Sequence, residues 1–130
     1  MISKITHISL FVTNQDDALH FYTNILGFKL HTDAVMENGF RWLTLCLKNQ
    51  PDVELALMPA TTPEEKALVG KQAAHHPFLC IQSDDCKKDY DLLKANGVIF
   101  IDEPKEEPWG ISVSCKDLYG TILYINQPIH

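Results

Sequence analysis

The 130-residue sequence has no Cys-x-x-Cys pair, no long apolar run and little positive charge. Its four cysteines are widely spaced, which argues against a zinc finger and predicts free thiols in a reducing compartment. No segment approaches the roughly 20 apolar residues of a membrane span, and no signal-peptide core precedes the first patterned segment. Seventeen acidic against eleven basic residues give a formal charge of −6. We therefore expect a cytoplasmic protein without a nucleic-acid or membrane partner.

The first patterned segment, residues 5–12, alternates apolar and other residues and predicts a β-strand. Ile8, Leu10 and Val12 share one face, so His7 lies on the opposite face. Asn14 is a good N-cap for a short helix that follows. Gly27 ends that helix, and a second strand begins after it. The segment therefore predicts a strand, a helix and a strand, with one imidazole on the free face of the first strand.

A weaker copy of this pattern occurs in the second half of the chain. Gly97 follows Gly27 by seventy positions, and Asp85 follows Asn14 by seventy-one. Two copies in a chain of this length indicate an internal duplication rather than a solenoid, which needs more repeats. We predict a single domain over residues 1–130, built from a module at about 4–59, a linker at 60–74 and a second module at about 75–127.

The remaining strands and helices follow from alternation and turn chemistry. In the first module, Asn38-Gly39 predicts a hairpin turn between two strands, and in the linker Thr62-Pro63 predicts the start of a short helix. The acidic, proline-containing segment 102–108 predicts a loop or an edge. The predicted strands are 28–36, 40–47, 53–58, 76–83, 98–102, 110–115 and 121–126. The order is βαβββ twice, which places the chain in the α+β class.

Glu54 is the second unusual residue, because it lies in the middle of an otherwise apolar predicted strand. A buried carboxylate needs a partner. We expect His7 and Glu54 to face one cavity and to approach each other across it.

The ordered set of short motifs resembles the vicinal oxygen chelate superfamily, which includes glyoxalase I, bleomycin-resistance proteins, fosfomycin-resistance enzymes and extradiol dioxygenases. The resemblance covers about residues 4–127. It implies two βαβββ modules whose sheets curl into a half-open mixed β-barrel around a small-molecule site. The motifs are His7-x-Ser-Leu-x-Val, Phe21-Tyr22 with Leu26-Gly-Phe28, Val53-Glu-Leu, Pro108-Trp-Gly110 and Asp117-x-x-Gly120.

In metal-dependent members of that superfamily, two residues from each module hold a divalent ion. Carried over to this chain, the first-module positions are His7 and Glu54. The duplication places Phe78 and Tyr124 at the second-module positions, where neither side chain is a usual ligand. His76, two residues before Phe78, is a possible third ligand if the strand is bulged. The cofactor is then a nickel, zinc, manganese or iron ion, and otherwise there is none.

The resemblance also implies an aromatic-walled cavity, and we predict that its ligand-contacting residues are Phe11, Trp42, Met58, Phe78, Trp109 and Tyr124. The preferred hypothesis is a protein with an incomplete metal site that binds an apolar or aromatic organic ligand. The alternative is a glyoxalase I-like lyase or isomerase, with Glu54 as the catalytic proton shuttle and His7, Glu54 and His76 as ligands. An extradiol dioxygenase is a weaker third hypothesis. A homodimer is expected in each case.

Overall fold

The structure, a computed structural model, describes residues 1–129. The chain divides into two units, Met1–Val69 and Gly70–His130. Each unit contains one β-sheet and a helical connection between the first two strands of that sheet.

The elements of the first unit are β1 (His7–Val12), α1 (Gln15–His20) with a π-helical continuation (Phe21–Ile25), β2 (Lys29–Val35), β3 (Arg41–Leu47), β4 (Gln50–Pro59) and α2 (Pro63–Leu68). The four strands form one sheet in the order β1-β4-β3-β2. Strands β1 and β4 are parallel, whereas the other two pairs are antiparallel. The helical connection between β1 and β2 allows the chain to return in the direction that the parallel pair requires.

One face of this sheet forms the apolar core of the unit. Leu10 and Val12 on β1 are fully buried, as predicted from the alternation, and Leu57 on β4 is buried with them. Ala18 and Tyr22 of the helical segment are also fully buried. Burial of each large side chain contributes about 1.5–3 kcal/mol, so this face fixes which way the alternate residues point. His7 and Glu54 consequently lie on the other face.

Local signals set the ends of α1. The Asn14 carboxamide oxygen accepts a hydrogen bond from the backbone N–H of Asp17 at 2.9 Å, which is the predicted N-cap. Past the π-helical turn, Gly27 adopts a φ of 86°, a left-handed conformation that glycine tolerates best. The chain then enters β2 one residue later than the predicted strand.

Strands β2 and β3 are connected by the predicted turn and by a charged cluster. Arg41 Nε and Nη2 donate to the two carboxylate oxygens of Asp33, each at 2.9 Å, and Nη1 donates to Asp16 at 2.7 Å. The hydrogen bonds from Arg41 lower the pKa of Asp33. The pairing of the strands shifts register between Leu30 and Thr32, so His31 is an extra residue in a β-bulge.

The second unit repeats the topology with one addition. Its elements are β5 (Leu79–Gln82), α3 (Cys86–Ala95), β6 (Ile99–Phe100), β7 (Lys105–Glu107), β8 (Gly110–Lys116) and β9 (Ile122–Pro128). The sheet has the order β5-β9-β8-β6, and β7 also pairs with β8. Together β6 and β7 occupy the place that β2 has in the first unit.

The predicted α+β class with two βαβββ modules is confirmed. Several predicted strands differ from the observed ones in their bounds, and two segments differ in kind as well. The strand predicted from residue 76 begins only at Leu79, since residues 71–76 form turns that end at Pro77. The acidic segment 102–108 forms the short edge strand β7 in its middle, because its backbone pairs with β8.

The four cysteines are free thiols, and Cys80 is the exposed one, whereas Cys46, Cys86 and Cys115 are buried. Burial raises the pKa of Cys115 to about 12 and also raises the pKa of Cys86. No helix within residues 1–129 has the length and apolarity to cross a membrane.

Candidate functional site

His7 and Glu54 lie side by side on adjacent strands of the first unit. They are direct partners in the parallel β1–β4 pair, and His7 Nε2 lies 3.1 Å from Glu54 Oε2. The two side chains are close, as predicted, but as neighbours within one sheet rather than as residues that approach each other across a cavity. The Glu54 side chain is 16% exposed and that of His7 is 37% exposed, so the pair lies at a partly covered surface.

His31 joins this pair, and the sequence analysis missed it. Its Nδ1 lies 3.0 Å from Glu54 Oε1, although β2 and β4 are separated by β3. Because the bulge places two residues of β2 opposite one of β3, His31 and Thr32 both lie at the level of Thr44. On a regular strand the two neighbours would point to opposite faces, and no local pattern indicates such a bulge.

Thr44 completes the contacts of the carboxylate. Its hydroxyl, fully buried on β3, donates to Glu54 Oε1 at 2.7 Å. Three side chains from β1, β2 and β3 thus approach the two oxygens of one glutamate. Hydrogen bonds to an ionised carboxylate are stronger than those between neutral groups, so the cluster holds the polar face of the sheet in one arrangement. We call these four residues, His7, His31, Thr44 and Glu54, the carboxylate cluster.

The ring nitrogens that do not face Glu54 are Nδ1 of His7 and Nε2 of His31, and their environments differ. His7 Nδ1 lies 2.9 Å from the hydroxyl of Thr6, so both of its ring nitrogens are engaged. The Nδ1 atom of His31, in addition to Glu54, lies 2.8 Å from the hydroxyl of Thr32. Within residues 1–129 the Nε2 of His31 has no hydrogen-bond partner.

Aromatic and apolar side chains predicted to contact a ligand lie on the same face. The Trp42 ring packs against His7 with centroids 5.4 Å apart and planes tilted by 56°. Phe11 and Met58 are cross-strand partners four pairs beyond the His7–Glu54 pair, and both are half-buried. This face therefore combines the carboxylate cluster with a partly covered apolar border.

In the second unit, Trp109 and Tyr124 are joined by a hydrogen bond. The indole N–H of Trp109 donates to the Tyr124 hydroxyl at 3.3 Å, and the Trp109 side chain is 60% exposed. Phe78 precedes β5 and is half-buried. These three residues are the ligand-contacting residues predicted for this unit.

The pairing of β5 with β9 gives Tyr124 a neighbour other than Phe78. In the parallel register Leu79 pairs with Leu123 and Cys80 with Tyr124. Phe78 precedes the paired residues of β5, and its backbone N–H donates to the carbonyl of Ile122 at 2.8 Å. Phe78 and Tyr124 are therefore not cross-strand partners, as His7 and Glu54 are in the first unit.

His76 does not lie on a strand. It sits in the turn before Pro77, is exposed, and packs its ring against that of His75 with centroids 4.2 Å apart. The assumption that a strand carries it is therefore wrong, and with it the geometric reason for proposing it as a third metal ligand.

The side chains of the carboxylate cluster do not have the geometry of a divalent-ion site. Ligand atoms of such an ion must direct their lone pairs at a common point. In the first unit the two imidazoles instead approach different oxygens of the same carboxylate at hydrogen-bond distances. Across the described residues 1–129, no group of three or more His, Cys, Asp and Glu side chains is arranged to hold a metal ion. These side chains fit a hydrogen-bonded cluster better than a metal centre.

Comparison with known proteins gives a consistent result. The family model of the Glyoxalase/Bleomycin resistance protein/Dioxygenase superfamily matches residues 4–123. The protein YurT of Bacillus subtilis (strain 168) is 40% identical over 126 residues, which cover 95% of this chain and 98% of YurT.

Two solved structures share the fold over nearly the whole chain. UcmS2 superposes with a TM-score of 0.84 at 28% identity and covers 97% of this chain and 98% of its own. TnmS3, an antibiotic binding protein from Streptomyces sp. CB03234, superposes with a TM-score of 0.81 at 31% identity, with 98% of each chain covered.

Proposed function

We propose, from the premise that this chain belongs to the Glyoxalase/Bleomycin resistance protein/Dioxygenase superfamily, that it binds an apolar or aromatic organic molecule without the help of a metal ion. The polar face of the first unit is the proposed binding surface. Trp42, Phe11 and Met58 are its apolar contacts, and the carboxylate cluster supplies its hydrogen-bonding groups.

The observation that carries this proposal is the set of contacts around Glu54. Its carboxylate faces the Thr44 hydroxyl at 2.7 Å and the two imidazoles at 3.1 and 3.0 Å. An acceptor with that many donors is engaged within the protein and would have to lose hydrogen bonds to coordinate an ion. Glu54 therefore positions His7 and His31 in this proposal, rather than shuttling a proton.

The relatives support the same proposed function. TnmS3 is described as an antibiotic binding protein and is 31% identical to this chain. Proteins that bind organic ligands by burial rely on apolar and aromatic walls with a few placed polar groups. Trp42 beside His7 is such a combination. For the second unit, Phe78, Trp109 and Tyr124 remain the proposed ligand-contacting residues.

A binding assay tests the proposal directly. Titration with 2-naphthol and, separately, with cyclohexanol should give saturable binding of the flat aromatic probe and much weaker binding of the aliphatic one. Replacing Trp42 by alanine should weaken binding of the aromatic probe about fivefold, because one aromatic contact contributes on the order of 1 kcal/mol beyond the area it buries. Leu92→Ala, an exposed position on α3, is the control and should leave binding unchanged.

The glyoxalase-like lyase and dioxygenase hypotheses predict that the protein binds a metal, because both enzymes depend on a divalent ion. Calorimetric titration with nickel, zinc, manganese and iron(II) under reducing conditions should give no binding at micromolar concentrations. Micromolar or tighter binding of one of these ions, abolished by His7→Ala or Glu54→Ala, would overturn the proposal in favour of the metal-dependent enzyme.

We also propose a homodimer. Strand β2 is an edge of its sheet, and it carries Leu30 and Val35, which are 50% and 72% exposed, with Met36 after it. Exposed edges with apolar side chains are common sites of pairing. Light scattering should give about twice the 14.7 kDa chain mass, whereas a clean mass of one chain at micromolar concentration would contradict the dimer.

A further inference from the structure

We infer that His31 recognises a hydroxyl group on the ligand, so that the preferred ligand is a hydroxylated aromatic compound such as a phenol or a naphthol. The inference rests on the proposed function and adds the chemical class of the ligand. It comes from the hydrogen-bonding capacity of the carboxylate cluster.

The first step concerns which nitrogens carry hydrogen. An ionised carboxylate can only accept hydrogen bonds. Any imidazole nitrogen that faces it at about 3 Å is therefore favoured in its N–H form, since a lone pair there would meet the lone pairs of the oxygen. His31 Nδ1 lies 3.0 Å from Glu54 Oε1, so its hydrogen belongs on Nδ1.

The neighbouring hydroxyl does not change this assignment. Thr32 Oγ1 lies 2.8 Å from the same Nδ1, and a hydroxyl oxygen can accept a hydrogen bond as readily as it can donate one. The Nδ1–H is then shared between Glu54 and Thr32. The opposite tautomer would satisfy Thr32 alone and would leave the nitrogen lone pair directed at the carboxylate.

The second step concerns the other nitrogen. A neutral imidazole carries one hydrogen, so Nε2 of His31 presents a lone pair. This atom has no hydrogen-bond partner within residues 1–129, and the side chain is 39% exposed. His7 differs, because its second ring nitrogen, Nδ1, lies 2.9 Å from the Thr6 hydroxyl. Of the two histidines in the cluster, His31 is therefore the one that offers an acceptor to a ligand.

The third step selects the ligand. A lone pair on nitrogen requires a donor, which a phenolic hydroxyl supplies and an ether cannot. The carboxylate behind the imidazole strengthens this acceptor, since the Nδ1–H···O bond increases electron density on the ring. The flat apolar surface of Trp42 lies on the same face, and a ring that bears the hydroxyl can pack there.

Nitrogen NMR tests the tautomer without any ligand. In protein labelled with ¹⁵N at histidine, at a pH where His31 is neutral, Nδ1 should show the chemical shift of a protonated nitrogen and Nε2 that of an unprotonated one. His31→Gln identifies the signals. The reverse pattern would overturn the inference whatever the binding data show.

Paired probes test the recognition. Wild-type protein should bind 2-naphthol about fivefold tighter than 2-methoxynaphthalene, because a single hydrogen bond contributes about 1 kcal/mol. His31→Phe keeps a ring but removes the nitrogen, and it should bring the ratio close to one. His20→Phe, an exposed histidine on α1 outside the cluster, is the matched control and should keep the wild-type ratio.

The outcomes separate this inference from the function on which it rests. Equal affinity of the wild type for the two naphthalenes would overturn the hydroxyl preference and leave aromatic binding intact. Binding of neither probe would overturn the proposed function and this inference together. A ratio that survives His31→Phe would assign the preference to another residue and would also overturn the inference.

Discussion

Nε2 of His7 lies 3.1 Å from Oε2 of Glu54, and the two residues are direct partners in a pair of parallel strands. Partners in adjacent strands point to the same face, so the contact follows from the register rather than from a flexible side chain. The register itself is fixed by the buried face, where a shift of one residue would turn Leu10 and Leu57 out of the core. The polar pair is therefore held in place by apolar packing on the reverse side of the sheet.

Loss of the Glu54 carboxylate should destabilise the protein. Glu54→Ala leaves the buried hydroxyl of Thr44 without its acceptor, and an unsatisfied buried polar group costs about 1–3 kcal/mol. Urea denaturation followed by circular dichroism measures the change. Asp52→Ala on the same strand is the control, because that carboxylate is exposed and should change the free energy of unfolding by less than about 0.5 kcal/mol. Equal effects of the two substitutions would contradict the role of Glu54.

The N-terminus of α2 should make stability depend on pH. The Glu65 carboxylate accepts hydrogen bonds from the backbone N–H of Thr61 at 2.9 Å and of Thr62 at 3.4 Å, and these bonds lower its pKa from 4.5. A group whose pKa is lower in the folded state stabilises the protein above its unfolded pKa. That contribution is lost as the pH falls through the folded value.

Wild-type stability should therefore fall more steeply than that of Glu65→Gln as the pH drops below about 4.5. Denaturation curves between pH 7 and pH 3 measure the difference. Glu64→Gln is the control, because that side chain has no hydrogen bond among residues 1–129, and its curve should keep the wild-type pH dependence.

Two glycines with similar backbone conformations should respond differently to alanine. Gly70 and Gly39 have φ of 79° and 84°. A Cβ at Gly70 would lie 2.0 Å from the carbonyl oxygen of Tyr119, whereas a Cβ at Gly39 meets nothing within 4 Å. Gly39→Ala should cost about 1–2 kcal/mol from its left-handed backbone alone. Gly70→Ala should cost more, since the backbone of residues 119–120 must move; equal melting temperatures of the two variants would contradict this.

Thiol reactivity should single out Cys80. It is exposed, whereas burial raises the pKa of Cys115 to about 12 and so leaves almost no thiolate there at pH 8. Ellman's reagent should modify one thiol rapidly in the native protein and the remaining three only on unfolding. Cys80→Ser should remove the rapid phase. A rapid phase that persists in this variant would show that a buried cysteine becomes accessible.

Much of the fold follows from local features of the sequence. The alternation around Leu10 fixes the buried face of β1, and the N-caps at Asn14 and Asp85 begin their helices as expected. The Asn-Gly turn before β3 forms, with Gly39 at a positive φ. These features depend on hydrogen bonds and burial within a few residues, which is why a single sequence predicts them. The duplication then follows from their repetition.

Local features of the sequence determine the candidate site only in part. Alternation placed His7 and Glu54 on the free faces of their strands, and the register of β1 with β4 brought them into contact. His31 belongs to the carboxylate cluster because of a β-bulge in β2. The bulge depends on how β2 pairs with β3 rather than on the sequence of β2. His76 lies outside the expected strand, because residues 71–76 form turns and β5 begins only after Pro77.

The sequence by itself determined where most strands lie and which face of each is apolar, since these follow from the spacing of side chains along one segment. Only the tertiary structure decided which polar residues meet. The register of β5 with β9 makes Cys80 the partner of Tyr124, and a single extra residue in β2 gave Glu54 a second imidazole. Both depend on pairing between segments that are distant in the chain, and a period of two along each strand is compatible with several such pairings.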